Sequence, residues 1–229
     1  MSLVLSRILE LEKGSVVIDG HDTASIDLEH LRNKITVIPQ DPIIFRETIK
    51  FNLDPSGTVP DNEIEDLLRL AGLENLLKKA PDRKKRKDKW YVEELDGEEG
   101  DGKGINYKLN DAGDSLSMGE KQLICICRAV LRKNKVVVLD EATANIDIVT
   151  EEKIYKLIDT AFKDSTVLTI AHRLNTILNS DKVLVLDEGK KVEYDSPAVL
   201  AKDPKSRLAY LLKDIKKGDG QKAEKSEKE

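Results

Sequence analysis

Three short apolar runs, each ending in a polar side chain, set the strongest limit on what this sequence can fold into. They are Ile35 to Ile38, Val136 to Leu139 and Thr166 to Ile170. Four or five residues rich in Val, Ile and Leu, without helical spacing, read as strands covered on both faces. Between them lie segments with helical periodicity. Ile154, Leu157, Ile158, Ala161 and Phe162 give the i, i+3, i+4, i+7, i+8 stripe of one such helix. Strands alternating with helices imply an α/β fold with a mostly parallel sheet. In such sheets ligands bind beyond the carboxyl ends of the strands. Gln40 follows the first run, Asp140 and Glu141 the second, and His172 the third. With the strands side by side, an amide, two carboxylates and an imidazole converge on one rim. Such a set could hold a metal ion, a water and a phosphate. Singly, each has an ordinary alternative: a turn residue for Gln40, a helix cap for a carboxylate, a structural role for the histidine.

The rest of the chain is punctuated around these runs. Leu3, Val4, Ile8 and Leu9 fit one face of an opening helix, and Ser15 to Asp19 alternates as a strand ending at Gly20. Asp27 to Asn33 reads as a short helix, and Ile64, Leu67, Leu68 and Ala71 mark a helix over Glu63 to Leu77. Lys78 to Lys89 is then crowded with Lys and Arg, and Glu93 to Asp101 with acid, while apolar periodicity stops. This pattern predicts an exposed charged insertion over 78–103. Helices are expected from Ser117 to Arg132, around Leu174 to Leu178, and over Leu208 to Ile215. Lys182 to Leu186 and Lys191 to Tyr194 flank the turn signal Asp187-Glu188-Gly189-Lys190 and read as a hairpin. Residues 218–229 form a polar tail.

The sharpest local feature is Leu116-Ser117-Met118-Gly119-Glu120. Ser117 and Glu120 have the spacing of a capping box, in which the serine and the glutamate each satisfy a backbone N–H at a helix start. The same start presents free amides and a positive dipole end to an anion, and Gly119 lets a phosphate approach the backbone. Both readings fit the same geometry.

Composition removes several classes of function. With 38 Lys and Arg against 43 Asp and Glu, the net charge of -5 does not favour nucleic acid as a partner. The longest apolar runs have the length of strands, so no transmembrane segment is expected in this chain, and no signal-peptide pattern opens it. Cys125 and Cys127 sit two apart on a helix and do not face each other, so neither a disulfide nor a shared metal is expected. They read as small packing residues of a reducing compartment.

Taken together, these segments resemble the nucleotide-binding domain of the ATP-binding-cassette (ABC) transporters. Val37-Ile38-Pro39-Gln40-Asp41-Pro42 resembles the Q-loop region, Leu116 to Gln122 the signature motif, and Val136 to Glu141 Walker B. Ala144-Asn145-Ile146-Asp147 resembles the D-loop, and Thr169 to Leu174 the switch-histidine segment. Asn52-Leu53-Asp54-Pro55 and the Ala-Asn-Ile-Asp sequence are similar to the second nucleotide-binding domain of the C subfamily, the multidrug-resistance-associated-protein-like exporters.

The resemblance implies a P-loop NTPase-like sheet with a helical subdomain over 41–133, within an incomplete domain over 1–217. It implies that Gln40 and Asp140 arrange Mg²⁺, that Glu141 orients or activates the attacking water, and that His172 contacts the γ-phosphate. Ser117, Gly119 and Glu120 would face ATP held on a second nucleotide-binding domain in a head-to-tail dimer, with Asp147 at the dimer seam. Hydrolysis would drive transmembrane domains, which places the domain at the cytoplasmic face of a membrane as part of an integral transporter. Two departures stand out. Met118-Gly119-Glu120 replaces the common Gly-Gly-Gln, and no G-x-x-x-x-G-K-[ST] phosphate-binding loop occurs in the chain. The resemblance therefore implies a domain without its phosphate loop and the strand before it, inactive alone. The alternative is a non-catalytic module that completes a partner domain's ATP site. A soluble ABC ATPase of DNA repair or translation is the weaker third reading, because no coiled-coil heptads or tandem cassette occur.

Overall fold

The computed structural model describes residues 1–78, 103–109, 116–143, 146–171 and 174–213. The charged stretch at 79–102, the tail at 218–229, Ala144, Asn145 and His172 lie outside the described residues. The chain divides into two units, Met1–Leu168 and Thr169–Glu229.

The first unit opens with α1 (Ser2–Leu5), one turn with no buried residue. Leu3, Ile8 and Leu9 are exposed, so the apolar spacing of this stretch does not mark a core face. The expected strand at Ser15 to Asp19 is only β1 (Val17–Ile18), paired antiparallel with β2 (His21–Asp22). Asp19 and Gly20 both have positive φ, 50° and 83°, which makes them a type I′ turn whose twist matches a hairpin. Asp27 then caps α2 (Leu28–Lys34) by accepting from Glu29 and His30 N–H, and α2 leads into β3 (Ile35–Ile38).

Helices follow: α3 (Ile49–Leu53), α4 (Asp61–Leu70), α5 (Glu74–Leu77) and α6 (Met118–Leu131). The single helix expected over Glu63 to Leu77 is broken at Gly72, whose φ is +72°. There Leu73 N–H donates to the Leu68 carbonyl and Gly72 N–H to that of Arg69, the two bonds of a Schellman stop. A glycine at that left-handed position ends the helix without the Cβ penalty another residue would carry.

Next come β4 (Val136–Asp140), α7 (Ile148–Ala161) and β5 (Thr166–Ile170). The strands stand side by side in the order β3-β4-β5. β3 and β4 are parallel, with Ile35 opposite Val136 and Ile38 opposite Leu139. Thr166 N–H donates to the Lys135 carbonyl at 2.7 Å, so β4 and β5 begin at the same end. The sheet separates two apolar clusters. Ile38, Val137 and Leu139 face the larger one, with Ile64, Leu68 and Ile124 from the helices. Ile35 and Val138 face a smaller one closed by Leu31. Cys125 and Cys127 are buried free thiols, and burial pushes the Cys127 thiol up to about 12.

Asp54, just after α3, is buried, and burial pushes its carboxyl up. Hydrogen bonds from the Ser56 hydroxyl and from the Val59, Ser56 and Thr58 N–H groups outweigh that and hold it below the usual carboxylate value. Val59 N–H lies 2.7 Å from Oδ2 and Ser56 N–H 3.2 Å from Oδ1. The stability this carboxylate contributes is present above its unfolded value of about 3.9 and is lost as pH falls through the lower folded value. Denaturation midpoints taken from about pH 6 to about pH 2 are expected to fall less steeply for Asp54→Asn than for the parent. Equal slopes would contradict this account of the turn.

The second unit begins within β5 and contains α8 (Leu174–Leu178), β6 (Val183–Asp187), β7 (Lys190–Asp195) and α9 (Pro197–Leu200), with further helix over 207–213. β6 and β7 form the expected hairpin, turning at Glu188 and Gly189, again with φ of 48° and 75°. The Glu193 carboxylate accepts from Arg207 and Leu208 N–H and from the Ser206 hydroxyl, capping the helix that follows. No helix among the described residues is long and apolar enough to cross a membrane.

Candidate functional site

The register of β3 and β4 builds the rim. Because Ile38 stands opposite Leu139, the two chains leave the sheet together, and Gln40 and Asp140 come one to two residues past that pair. Adjacent strands are about 4.8 Å apart, so Gln40 and the two acids follow neighbouring strand ends. Gln40 is exposed, while Asp140 and Glu141 are half-buried. The Ser2 hydroxyl donates to Asp140 Oδ2 at 3.0 Å. Glu141 has a φ of 48°. For a residue with a side chain this conformation costs about 1 kcal/mol or more. It persists where the surroundings over-determine it. Here Ala142 and Thr143 are buried immediately after it, and the Thr143 hydroxyl lies 3.0 Å from the Tyr155 hydroxyl of α7. A strained acid at the end of a central strand, with its turn clamped from behind, suits a group that must be aimed.

The start of α6 forms the capping box complete. Ser117 Oγ accepts from Glu120 N–H at 3.2 Å, and a Glu120 carboxylate oxygen accepts from Ser117 N–H at 2.8 Å. The cap uses the serine oxygen as acceptor, so a hydroxyl in this role can still donate to an anion. Glu120, standing where the common signature has glutamine, is engaged in the cap. Ser117 and Met118 are exposed, and Gly119 is buried.

Gly119 has a packing reason to be glycine. A Cβ there would lie 2.6 Å from Thr150 Cγ2 on α7. Thr150 N–H in turn donates to Asp147 Oδ1 at 3.0 Å, and that bond caps α7. Hydrogen bonds from Thr150 hold the Asp147 carboxyl below the usual carboxylate value. The helix starts bearing Ser117 and Asp147 are thus packed through one glycine–threonine contact. Alanine in a helix is favoured over glycine by about 1 kcal/mol. Overpacking costs about 1–3 kcal/mol, so the clash is expected to win at Gly119→Ala. Thr150→Ser removes Cγ2 and is expected to restore most of the lost melting temperature in the double variant. Losses that simply add in the double variant would contradict the contact.

Of the residues singled out from the sequence, Gln40, Asp140 and Glu141 share the rim of adjacent strands, and Ser117, Gly119, Glu120 and Asp147 occupy two packed helix starts. His172 lies outside the described residues. Sequence reasoning did not single out the Ser2 hydroxyl against Asp140, nor Gln122. Gln122 is almost wholly buried and donates from Nε2 to the Pro39 carbonyl at 3.2 Å. Its signal was a polar side chain between the buried Gly119 and Leu123 of the α6 core face.

The rim suits a hard divalent cation in part. Asp140 supplies a carboxylate, Gln40 an amide oxygen, and Ser2 a hydroxyl on the carboxylate. Among the described residues no three His, Cys, Asp or Glu side chains cluster as a closed metal cage. A small oxygen-ligand set matches Mg²⁺, which keeps waters and takes its remaining ligands from substrate phosphates. For the phosphates themselves this chain carries no glycine-rich loop ending in Lys-Ser or Lys-Thr.

Comparison with known proteins fits this geometry. The ABC transporter family profile matches residues 2–144. The chain is 44% identical over 200 residues to ATP-binding cassette sub-family C member 3 of Rattus norvegicus, covering 87% of the chain and 12% of that protein. It is 40% identical over 218 residues to multidrug resistance protein mrp-7 of Caenorhabditis elegans, covering 95% and 13%. It is 43% identical over 212 residues to bile pigment transporter 1 of Saccharomyces cerevisiae, covering 93% and 13%. The solved structure of a bacterial Atm1-family ABC exporter with ATP bound superposes with a TM-score of 0.76 at 26% identity, covering 93% of this chain and 34% of that one. The chain thus spans about an eighth of the length of the curated relatives it matches. On profile, identity and fold together, the chain belongs to the ABC transporter family, on its sub-family C branch.

Proposed function

We propose that this chain is the greater part of the second nucleotide-binding domain of an ABC exporter, in which ATP binding and hydrolysis drive transport through separate transmembrane domains. The observation that carries this reading is the rim: Gln40 beside Asp140 and Glu141, just past the ends of adjacent parallel strands, with Glu141 held at positive φ. Asp140 and Gln40 hold Mg²⁺, which when bound neutralises phosphate charge during transfer. Ser2 orients the Asp140 carboxylate through its hydroxyl. Glu141 accepts a hydrogen bond from the attacking water and turns it toward the phosphate. His172 contacts the γ-phosphate. Ser117, Gly119 and Glu120 face ATP on a second nucleotide-binding domain, and Asp147 lies at the seam between the two. The resemblance to exporters supports this pairing and a position at the cytoplasmic face of a membrane.

The 229-residue chain by itself does not hold ATP tightly in this account. A phosphate loop supplies several charge-assisted hydrogen bonds of about 1.5–3 kcal/mol each. Losing three removes about 4.5 kcal/mol, roughly a thousandfold in affinity. A second reading, a non-catalytic module that offers the Ser117 cap to a partner's ATP, rests on the complete capping box at the exposed start of α6. Phosphate release by the intact transporter separates the two: hydrolysis that depends on Asp140, measured with Asp140→Asn, supports the first. Turnover indifferent to Asp140 supports the second.

A further inference from the structure

The Pro39 carbonyl, immediately before Gln40, is not the only backbone group that α6 grips. Along one side of the helix, Gln122 Nε2 donates to the Pro39 carbonyl at 3.2 Å and Cys125 Sγ to the Ile43 carbonyl at 3.8 Å. Arg128 donates from Nη2 to the same Ile43 carbonyl at 3.1 Å and from Nε to the Asn52 carbonyl at 2.7 Å. The guanidinium also lies over the Phe45 ring, 5.4 Å from its centroid. Gln122, Cys125 and Arg128 are three residues apart in turn, the spacing that lines up side chains on one face of a helix. The partners are main-chain carbonyls spread over 39–52, so what is held is the path of the loop and not its side chains.

Gln122 is the least replaceable member. It is 1% exposed, so no water replaces the Pro39 carbonyl if that bond is lost. Its bond is the grip nearest the rim.

From this we infer that Gln122 and Arg128 are positioning residues: they fix the loop bearing Gln40 to the helix whose first turn carries Ser117. The loop's pose is then set by α6 as well as by β3, and a shift of α6 is passed to Gln40 through the Pro39 carbonyl. The inference rests on the roles proposed above for Gln40 and Ser117, and it adds the link between them.

A spin label tests the link without nucleotide. Asp41 is exposed while both native thiols are buried, so Asp41→Cys takes a nitroxide selectively. Asn62→Cys on α4, also exposed, serves as the control position. Gln122→Met keeps the side-chain volume and removes the donor. In the 229-residue chain it is expected to shorten the label's correlation time at 41 by about twofold or more and leave that at 62 unchanged. Arg128→Met is expected to act in the same direction. A role limited to packing would lower the melting temperature and leave the label at 41 as it was, and that result in folded variants overturns the inference. If Gln122→Met does not fold, Gln122→Glu decides by the same readout, since it sets an acceptor against the Pro39 carbonyl. The functional reading is tested apart from this, by ATP hydrolysis of the intact transporter carrying Gln40→Ala. Unchanged turnover there removes Gln40 from the mechanism and leaves the link between α6 and the loop as measured.

Discussion

Glu141→Gln is expected to reduce ATP hydrolysis by the intact transporter about 100-fold or more while ATP binding persists. The substitution keeps shape and hydrogen-bonding reach but removes the carboxylate that takes the water's proton or holds its orientation. The backbone favours a clean result, because the buried Ala142 and Thr143 that follow Glu141 are unchanged by the substitution, and glutamine meets the same positive φ. Asp140 and its Ser2 bond would be untouched, so cation and nucleotide still bind. Steady-state phosphate release together with retention of labelled nucleotide separates the two effects. Turnover within a few-fold of the parent would remove Glu141 from the role of catalytic acid–base. Loss of nucleotide binding along with turnover would instead mean that the acid supports the fold.

The second large effect is on stability, at Asn52→Ala. Asn52 is fully buried. Its Oδ1 accepts from Phe45 N–H at 2.8 Å, and its Nδ2 donates to the carbonyls of Phe45 at 3.0 Å and Thr48 at 3.1 Å. One side chain thus closes the loop 45–52 on itself, in the segment that Arg128 grips from α6. Alanine leaves the Phe45 N–H and carbonyl short of partners, while the Thr48 carbonyl keeps the Asn52 N–H at 2.9 Å; at about 1–3 kcal/mol each, a loss of about 2 kcal/mol or more is expected. Urea denaturation midpoints measure it. A loss under about 1 kcal/mol would show that water or a shift of the loop replaces the amide.

Much of this could be read from the chain alone, and the residues explain why. Val136 to Leu139 and its two acids are legible because a buried parallel strand has a near-continuous apolar run and ligands gather at its end. Ser117 and Glu120 are legible because a capping box is local, spanning one turn. What was not legible has two physical causes. Single glycines and short turns are weak signals. Gly72 lowers helix propensity by only about 1 kcal/mol, so the periodic pattern of Glu63 to Leu77 reads straight through a real helix stop. Asp19-Gly20 is a hairpin turn, but its strands are two residues each, too short to alternate visibly. The other cause is distance along the chain. Gln122 meets Pro39 across 83 positions and Ser2 meets Asp140 across 138. No local pattern encodes such pairs. Gln122 leaves one hint, a buried polar residue on an apolar helix face, and Ser2, on a turn with no buried residue, leaves none.

A calorimetric titration of the 229-residue chain with ATP and Mg²⁺ measures what the rim holds without a phosphate loop. The rim offers Asp140, Gln40 and Glu141 for a cation and a water, while no glycine-rich loop in this chain grips the phosphates. No saturable binding is expected below about 1 mM nucleotide, a roughly thousandfold loss against micromolar affinity. Saturable binding with a micromolar Kd would contradict it, and would mean that this chain holds ATP phosphates by groups other than those assigned here.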